Sequence, residues 1–224
     1  MPDRFEPRLV ILPLPQRRLW LELGDTPQHF TLYGGTAIAL RLAHRESIDF
    51  DFFSHLDFEP NALLSGVPYL GHAVIRQSQP NTLTCSVDRG GPVLLSFFGG
   101  LQVGQVAPAE VAEGPELHVA SLLDLAGMKA AVVTQRAELR DYLDIHALLT
   151  QAKIELPVML TAARVIYGVQ FNPLVCLKAL AYHDAAALAA LPAGMRRDLV
   201  TAIQHVDLKA LPEIPGARPR TVSG

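Results

Sequence analysis

Residues 32–53 read LYGGTAIALRLAHRESIDFDFF, and this stretch decides the expected fold. It begins inside a compact β-type run, Phe30 to Tyr33, that stops at the Gly34-Gly35 pair. Thr36 to His44 then consists of strong helix formers with apolar residues at helical spacing. Ser47 to Ser54 alternates apolar and acidic side chains, which is a strand pattern. The sequence therefore predicts a strand, a glycine turn, a helix and a second strand.

The Gly34-Gly35 pair has two possible functions at this point of the chain. Glycine has no Cβ, so the backbone can approach a ligand closely. The helix that follows offers unpaired N–H groups and the positive end of its dipole, which suits a phosphate. Alone, however, the pair equally fits a tight strand-to-helix turn with no ligand.

The Asp49-Phe50-Asp51 tripeptide is the second chemical feature. Residues i and i+2 of a strand project from the same face, so both carboxylates would converge while Ile48, Phe50 and Phe52 pack behind them. Two close carboxylates repel unless a cation neutralises them, and oxygen ligands suit Mg²⁺. An edge strand with a solvated acidic face is the alternative. Together with the glycine turn, the pair predicts a phosphate cradle beside a metal site.

The rest of the chain predicts an α+β protein, a mixed sheet with helices followed by a helical C-terminal half. Further β-type runs occupy 82–87 and 93–98. We expect an α+β domain over 1–115, a helical domain over 116–211 that completes the site, and a loose tail over 212–224, rich in Pro, Gly and Arg. The expected later helices cover 121–135, 138–150, 157–167, 173–183 and 198–206.

Composition narrows the protein class. Half of the 224 residues are hydrophobic and 18% are charged, which predicts a folded globular protein. The net charge of −3 gives no global attraction to nucleic acid. Cys85 and Cys176 are far apart and predict buried thiols in a reducing compartment. No signal peptide or membrane span is expected, so the predicted location is cytoplasmic.

These motifs resemble the AbiEii/AbiGii toxin-like branch of the nucleotidyltransferase superfamily. The resemblance rests on the glycine turn followed by Thr36-Ala37, the His-Arg-x-Ser element at 44–47 and the Asp-x-Asp strand. It continues in Met128-Lys129-Ala130 and in RAELRDYLD at 136–144, and covers roughly 31–150. It implies an enzyme that moves a nucleoside monophosphate from an NTP to an acceptor.

The resemblance also implies a role for each matching residue. Gly34, Gly35 and Thr36 would hold the triphosphate, and Asp49 and Asp51 would bind catalytic Mg²⁺. Lys129 would contact the triphosphate, while Asp141 would act as a base or orient Lys129. Arg45, matched together with Ser47 to the link between helix and strand, would touch phosphate or form a structural ion pair. Asp144 is expected to be structural, paired with Arg140 or Arg136.

One position departs from the wider superfamily, where many members carry a third carboxylate on a later strand. The best candidate strand here, VLLSFF at 93–98, offers Ser96 and no acid. Either Asp141 substitutes, or the chain binds nucleotide without turning it over. Three functions remain open: transfer to an RNA (such as tRNA) or protein acceptor, with a possible antitoxin partner; a non-catalytic nucleotide-binding module; and an antibiotic-type small-molecule transferase.

Overall fold

The computed structural model describes residues 2–182, 189–215 and 217. The predicted tail at 212–224 and the end of the helix predicted to reach His183 therefore fall largely outside the described residues. Eight strands occur within the described part: β1 Arg4–Phe5, β2 Thr31–Tyr33, β3 Asp49–Phe53, β4 Val74–Gln79, β5 Thr82–Asp88, β6 Pro92–Phe98, β7 Glu110–Ala112 and β8 Leu117–Val119. The α-helices there are α1 Leu14–Leu19, α2 Gly34–Leu42, α3 Pro60–Gly66, α4 Leu122–Val132, α5 Leu139–Thr150, α6 Leu156–Tyr167, α7 Pro173–Ala181 and α8 Ala193–Gln204.

The eight strands form one mixed sheet in the order β1-β7-β8-β2-β3-β6-β5-β4. β3 pairs with β2 antiparallel and with β6 parallel, so it is a central strand. The alternative of an acidic edge strand is therefore excluded. With the helices, this sheet confirms the predicted α+β class.

Side chains along β3 alternate between the buried core and the face of the sheet that carries the two aspartates. Phe50 and Phe52 are fully buried, and the ring of Phe52 stacks on Phe97 of β6 with centroids 4.9 Å apart. Burial of each such ring stabilises the fold by about 1.5–3 kcal/mol. Asp49 and Asp51 face the other side and are half-buried. Ile48, expected to pack behind them, is 55% exposed, because β3 begins only at Asp49.

The chain forms two compact units. The first contains residues 1–102 and 108–120, and the second contains 103–107 and 121–224. Asp124, 1% exposed, explains why the short segment 103–107 belongs to the second unit. Its carboxylate accepts hydrogen bonds from the backbone N–H groups of Val106 at 2.8 Å and Ala107 at 3.0 Å. The predicted border at 115/116 lies between β7 and β8, two paired strands of the first unit.

The second unit is helical in its described part. α4 begins at an N-cap serine, as expected, since Ser121 Oγ accepts the N–H of Asp124 at 3.0 Å. α4 and α6 pack closely at Gly127, where an added Cβ would lie 2.7 Å from the carbonyl carbon of Ala162. Glycine at this position therefore sets how near the two helices approach.

Most elements within the motif region match their predicted positions, whereas several short strands were not foreseen. β1, β7 and β8 have only two or three residues each, too few for alternation to reveal a strand. β4 is exposed along its whole length, so it carries no buried face for the sequence to reveal. Both cysteines are buried as expected, and burial raises the pKa of Cys85 to about 11 and that of Cys176 to about 12. Within the described residues, no helix is long and apolar enough to cross a membrane.

Candidate active site

The carboxylate pair lies on the face of the sheet opposite its aromatic core. Asp51 stands in register with Tyr33 of β2 and with Ser96 of β6, and Asp49 stands in register with Leu94. Because the two aspartates are separated by one residue of a regular strand, both project from this face. The structure therefore brings the two predicted metal ligands together.

The glycine turn directly adjoins this pair. Gly34 is the first residue of α2 and has φ +75°, a conformation that favours glycine. A Cβ on Gly34 would lie 2.8 Å from Oδ2 of Asp51. Gly35 follows as the second residue of α2, and the N-cap residue Tyr33 makes no side-chain capping bond. The first N–H groups of α2 thus begin beside the carboxylate of Asp51.

Thr36 has a different side-chain environment from the one that phosphate binding would suggest. It is 2% exposed, and its hydroxyl donates to the backbone carbonyl of Asp49 while bonding Ser47 Oγ at 2.7 Å. Ser47 is itself 3% exposed. These bonds tie the first turn of α2 to the start of β3. The side chains of Thr36 and Ser47 therefore hold the glycine turn against the aspartates, and any phosphate contact of Thr36 would use its backbone.

Arg45 braces the same link between α2 and β3. Its Nη1 donates to the carbonyl of Glu46 at 2.9 Å and to Ser47 Oγ at 3.4 Å. The left-handed residue Ala43, φ 51°, ends α2 just before it. These contacts place Arg45 beside Ser47 at the link between α2 and β3, and its expected role, phosphate contact or a structural ion pair, stays a prediction.

The donor set suits a metal ion that arrives with a nucleotide. Within the ranges that the structure describes, no group of three or more His, Cys, Asp or Glu could enclose a metal. Mg²⁺ is commonly bound through one or two carboxylates, with water and substrate phosphates completing its octahedron. Asp49 and Asp51, beside the start of α2, offer the two carboxylates and leave the remaining positions open. These residues fit Mg²⁺.

Lys129 and Asp141, predicted for the site by resemblance, form a separate cluster in the second unit. Lys129 Nζ lies 2.7 Å from Asp141 Oδ1 and 2.7 Å from Asp144 Oδ2. Both aspartates are fully buried, and the lysine side chain is 9% exposed. An ammonium group has three donors, so these two bonds leave one for another ligand.

Asp141 has the environment of an ionised, permanently paired carboxylate. Burial alone would raise its pKa, but the hydrogen bond from Arg136 and the charge of Lys129 lower the pKa overall. Arg136 Nε reaches Asp141 Oδ2 at 2.9 Å. A carboxylate with a lowered pKa is a poor proton acceptor at neutral pH. Of the two predicted roles, the geometry favours orientation of Lys129 over base catalysis.

Asp144 has the buried position expected of a structural residue. Its Oδ2 lies 2.7 Å from Nζ of Lys129. Asp141 and Asp144, one helical turn apart on α5, thus both face Lys129 of α4. The expected pairing of Asp144 with Arg140 or Arg136 stays a prediction.

The structural role of Asp124 was missed by the sequence interpretation. Ser121 Oγ donates to Asp124 Oδ2 at 2.6 Å, and this carboxylate also holds the 103–107 segment. The Ser-x-x-Asp spacing at 121–124 was the available signal, since it is typical of a helix start. This spacing predicts the start of the helix. The hydrogen bonds of Asp124 to the 103–107 segment depend on the fold and could not be read from the spacing.

Comparison with known families confirms the resemblance that the motifs indicated. A family model described as the nucleotidyl transferase AbiEii toxin of a type IV toxin–antitoxin system matches residues 18–79. This range contains the glycine turn and both candidate metal ligands. Among curated protein sequences, no relative is found.

Two solved structures share the fold. A protein from H. pylori assigned as a nucleotidyltransferase is 19% identical, with a TM-score of 0.54 over 84% of this chain and 90% of that one. MenT4, a nucleotidyltransferase toxin from Mycobacterium tuberculosis, is 15% identical, with a TM-score of 0.55 over 86% of this chain and 82% of its own. At these identities the likeness establishes the nucleotidyltransferase fold.

Proposed function

We propose that this chain, a nucleotidyltransferase of the AbiEii type, moves a nucleoside monophosphate from an NTP to an acceptor hydroxyl and releases pyrophosphate. The observation that carries the proposal is the contact between the glycine turn and the aspartates. A phosphate cradle and a carboxylate pair meet where the backbone of Gly34 touches the side chain of Asp51. Neither feature alone specifies the reaction, whereas nucleotidyl transfer needs both at one place.

The start of α2 provides the triphosphate site of this proposal. α2 is nine residues long, and its first N–H groups have no side-chain cap. These donors and the positive end of the helix dipole attract a phosphate, and Gly34 lets it approach the backbone. The bonds of Thr36 to Ser47 and Asp49 keep this helix start in place during binding.

Asp49 and Asp51 provide the cation site. Bound Mg²⁺ would neutralise the charge that develops on the phosphates during transfer. The two aspartates would hold the cation next to the triphosphate. The buried rings of Phe50 and Phe52 fix the strand behind them. The acceptor oxygen forms a bond to the α-phosphorus, the bond from the α-phosphorus to the bridging oxygen breaks, and pyrophosphate leaves with that electron pair. The acceptor proton passes to solvent water.

Calorimetry with an NTP analogue that resists cleavage at the α–β bridge tests the metal and phosphate sites. Because each charge is favourable mainly when the other is present, Mg²⁺ and analogue should bind cooperatively. Equal affinity for the analogue with and without Mg²⁺ would exclude the metal site. Transfer itself is tested by labelling of bulk tRNA with each α-³²P-NTP in turn. Asp51→Asn is the control that should abolish both signals.

A non-catalytic nucleotide-binding module is the second candidate, and Ser96 is the observation that favours it. Ser96 stands in register with Asp51 on the neighbouring parallel strand, where a third carboxylate would lie closest to the pair. A module of this kind would bind Mg²⁺ and NTP cooperatively and label neither RNA nor protein. Labelling of bulk tRNA, repeated with bulk protein as the acceptor, therefore separates the candidates.

The biological role that we propose is that of a toxin held in check by an antitoxin protein. The matched family model describes toxins of a toxin–antitoxin system, and MenT4 is a nucleotidyltransferase toxin. Expression of the chain should then arrest growth, and the Asp51→Asn variant should not. Arrest by both proteins at equal levels would contradict a toxic activity that depends on the site.

A further inference from the structure

A row of uncharged polar side chains crosses the sheet away from Asp51. Ser96 of β6 is in register with Asp51, Thr84 of β5 is in register with Ser96, and Gln77 of β4 is in register with Thr84. Residues in register on neighbouring strands project from the same face of a sheet. The row therefore starts at the carboxylate pair and runs over the same face toward the edge strand β4.

The hydroxyl groups of this row are not used by the fold. Among the described residues, no hydrogen bond involves the side chain of Ser96 or Thr84. Neither hydroxyl oxygen belongs to the fully buried atoms that lack a hydrogen-bond partner. Ser96 is 8% exposed, Thr84 is half-buried and Gln77 is exposed. Accessibility thus rises along the row from Ser96 to Gln77. Hydroxyls that no structural bond occupies are available to a ligand.

The row lies on the side of Asp51 opposite the phosphate cradle. Gly34 adjoins Asp51 from the β2 side, because Tyr33 of β2 is in register with Asp51 and α2 begins at the next residue. Ser96 adjoins Asp51 from the β6 side. Phosphoryl transfer places the attacking and leaving oxygens roughly in line, on opposite sides of the phosphorus. A triphosphate at Gly34 therefore leaves the β6 side for the acceptor.

We propose that Ser96 and Thr84 bind the terminal ribose of an RNA acceptor, an inference that rests on the proposed transferase function. Ser96 Oγ accepts a hydrogen bond from the attacking 3′-hydroxyl, and Thr84 Oγ1 bonds the neighbouring 2′-hydroxyl. The 3′-oxygen then forms its bond to the α-phosphorus as the bond to pyrophosphate breaks, and its proton passes to solvent water. Ser96 orients the acceptor in place of a third metal carboxylate.

The chemistry of the row favours a ribose over other acceptors. Ser96, Thr84 and Gln77 carry no charge, so they cannot form an ion pair with a phosphate group. Two adjacent hydroxyls match a pair of vicinal hydroxyls, and each can donate one hydrogen bond and accept others. A serine or tyrosine side chain of a protein acceptor presents a single hydroxyl and would leave Thr84 unused.

The test compares transfer to two synthetic RNAs that differ only in the 2′-position of the last nucleotide, one a ribose and the other a 2′-deoxyribose with its 3′-hydroxyl retained. Wild type should prefer the ribose end by roughly two- to tenfold, the scale of one neutral hydrogen bond. Thr84→Val should reduce this preference to about one, because valine keeps the branched shape without the hydroxyl. Thr84→Ser should retain it.

Thr82→Val is the matched control, since Thr82 lies on the same strand and face but pairs with Phe98. It should keep the wild-type preference. Ser96→Ala should slow transfer to both RNAs by a similar factor without changing their ratio. Melting temperatures near wild type for all variants make the ratios comparable.

Three outcomes contradict the inference, and they are distinguishable from one another. Equal use of both RNAs by wild type would overturn ribose recognition while leaving the transferase function intact. Labelling of a protein hydroxyl and of neither RNA would show that the acceptor is a protein and not an RNA. Absence of any transfer, together with NTP binding that ignores Mg²⁺, would overturn the proposed function and the inference with it.

Discussion

The α-carbon of Gly34 lies against the carboxylate of Asp51, so closely that a Cβ on the glycine would stand 2.8 Å from Oδ2. This is the point where the proposed phosphate cradle meets the proposed metal ligands. The φ of +75° also disfavours any residue with a side chain. Both constraints act at one position, and both are imposed by the arrangement of α2 beside β3.

Gly34→Ala should therefore impair nucleotide and metal binding together. The methyl group displaces the Asp51 carboxylate, and the strained backbone shifts the first N–H groups of α2. We expect cooperative binding of Mg²⁺ and the NTP analogue to weaken at least tenfold in calorimetry. Gly66→Ala is the matched control, because Gly66 ends α3 and has nothing within 4 Å of an added Cβ. Equal binding by Gly34→Ala and wild type would contradict the cradle.

Asp49→Asn and Asp51→Asn should lose transfer activity without losing stability. Each substitution removes one of two neighbouring carboxylates and so relieves their repulsion in the metal-free protein. We expect melting temperatures equal to or above wild type in the absence of Mg²⁺, measured by thermal unfolding. A large drop in melting temperature for both variants would indicate a structural ion-pair role instead.

The first half of the site could be predicted from sequence because it is local. Gly34 and Asp51 belong to one strand–turn–helix–strand unit, and period-2 alternation places Asp49 and Asp51 on one face. Their meeting needs only the antiparallel pairing of β2 with β3. For Ser96, the sequence predicted a strand but not its neighbours. Its register with Asp51 depends on a parallel pairing between segments that are distant in sequence.

Side-chain partners were harder to predict than positions. Thr36 was expected to hold the triphosphate together with the glycine pair, and the sequence did not indicate that its hydroxyl bonds Ser47 and the carbonyl of Asp49. A hydroxyl beside a buried carbonyl satisfies that carbonyl before any ligand arrives, and sequence spacing does not reveal this. Lys129, which comes from α4, is a partner of Asp144 that the sequence did not indicate.

Thr36→Val should destabilise the fold while leaving the cradle's chemical groups in place. Valine removes the hydroxyl that joins Ser47 Oγ to the Asp49 carbonyl and leaves both without this partner. We expect a loss of about 1–3 kcal/mol in the free energy of unfolding by urea denaturation. Thr36→Ser should recover most of it. A Thr36→Val protein of wild-type stability that no longer binds NTP would instead establish a direct phosphate contact of the side chain.

Lys129→Met should be strongly destabilising, because it leaves Asp141 and Asp144 buried with one cation fewer. Removing one partner of a buried ion pair costs about 3–5 kcal/mol, whereas exposed pairs contribute about 0–1 kcal/mol. Arg4→Met is the control, since its bond to Glu116 joins side chains 50% and 57% exposed. Urea unfolding should therefore separate the two variants by about 2 kcal/mol or more. Similar losses in both would contradict a structural role for the Lys129 cluster.

Asp141 should contribute to the change of the unfolding free energy with pH. Its pKa in the folded protein lies below the ordinary 3.8, because hydrogen bonding by Arg136 and the charge of Lys129 outweigh the effect of burial. A carboxylate whose pKa is lower in the folded state than in the unfolded state binds protons preferentially when unfolded. Its stabilising contribution is therefore complete well above pH 3.8 and is lost as the pH falls through the folded pKa.

Asp141→Asn removes that contribution at every pH, so wild type and variant should differ most near neutral pH. Their unfolding free energies should converge as the pH falls below 3.8, and the acid limb of the variant should be flatter. Urea titrations from pH 7 to pH 2.5 measure both curves. Parallel curves for wild type and Asp141→Asn would show that Asp141 titrates alike in the folded and unfolded chain, and would remove it from the buried ion cluster.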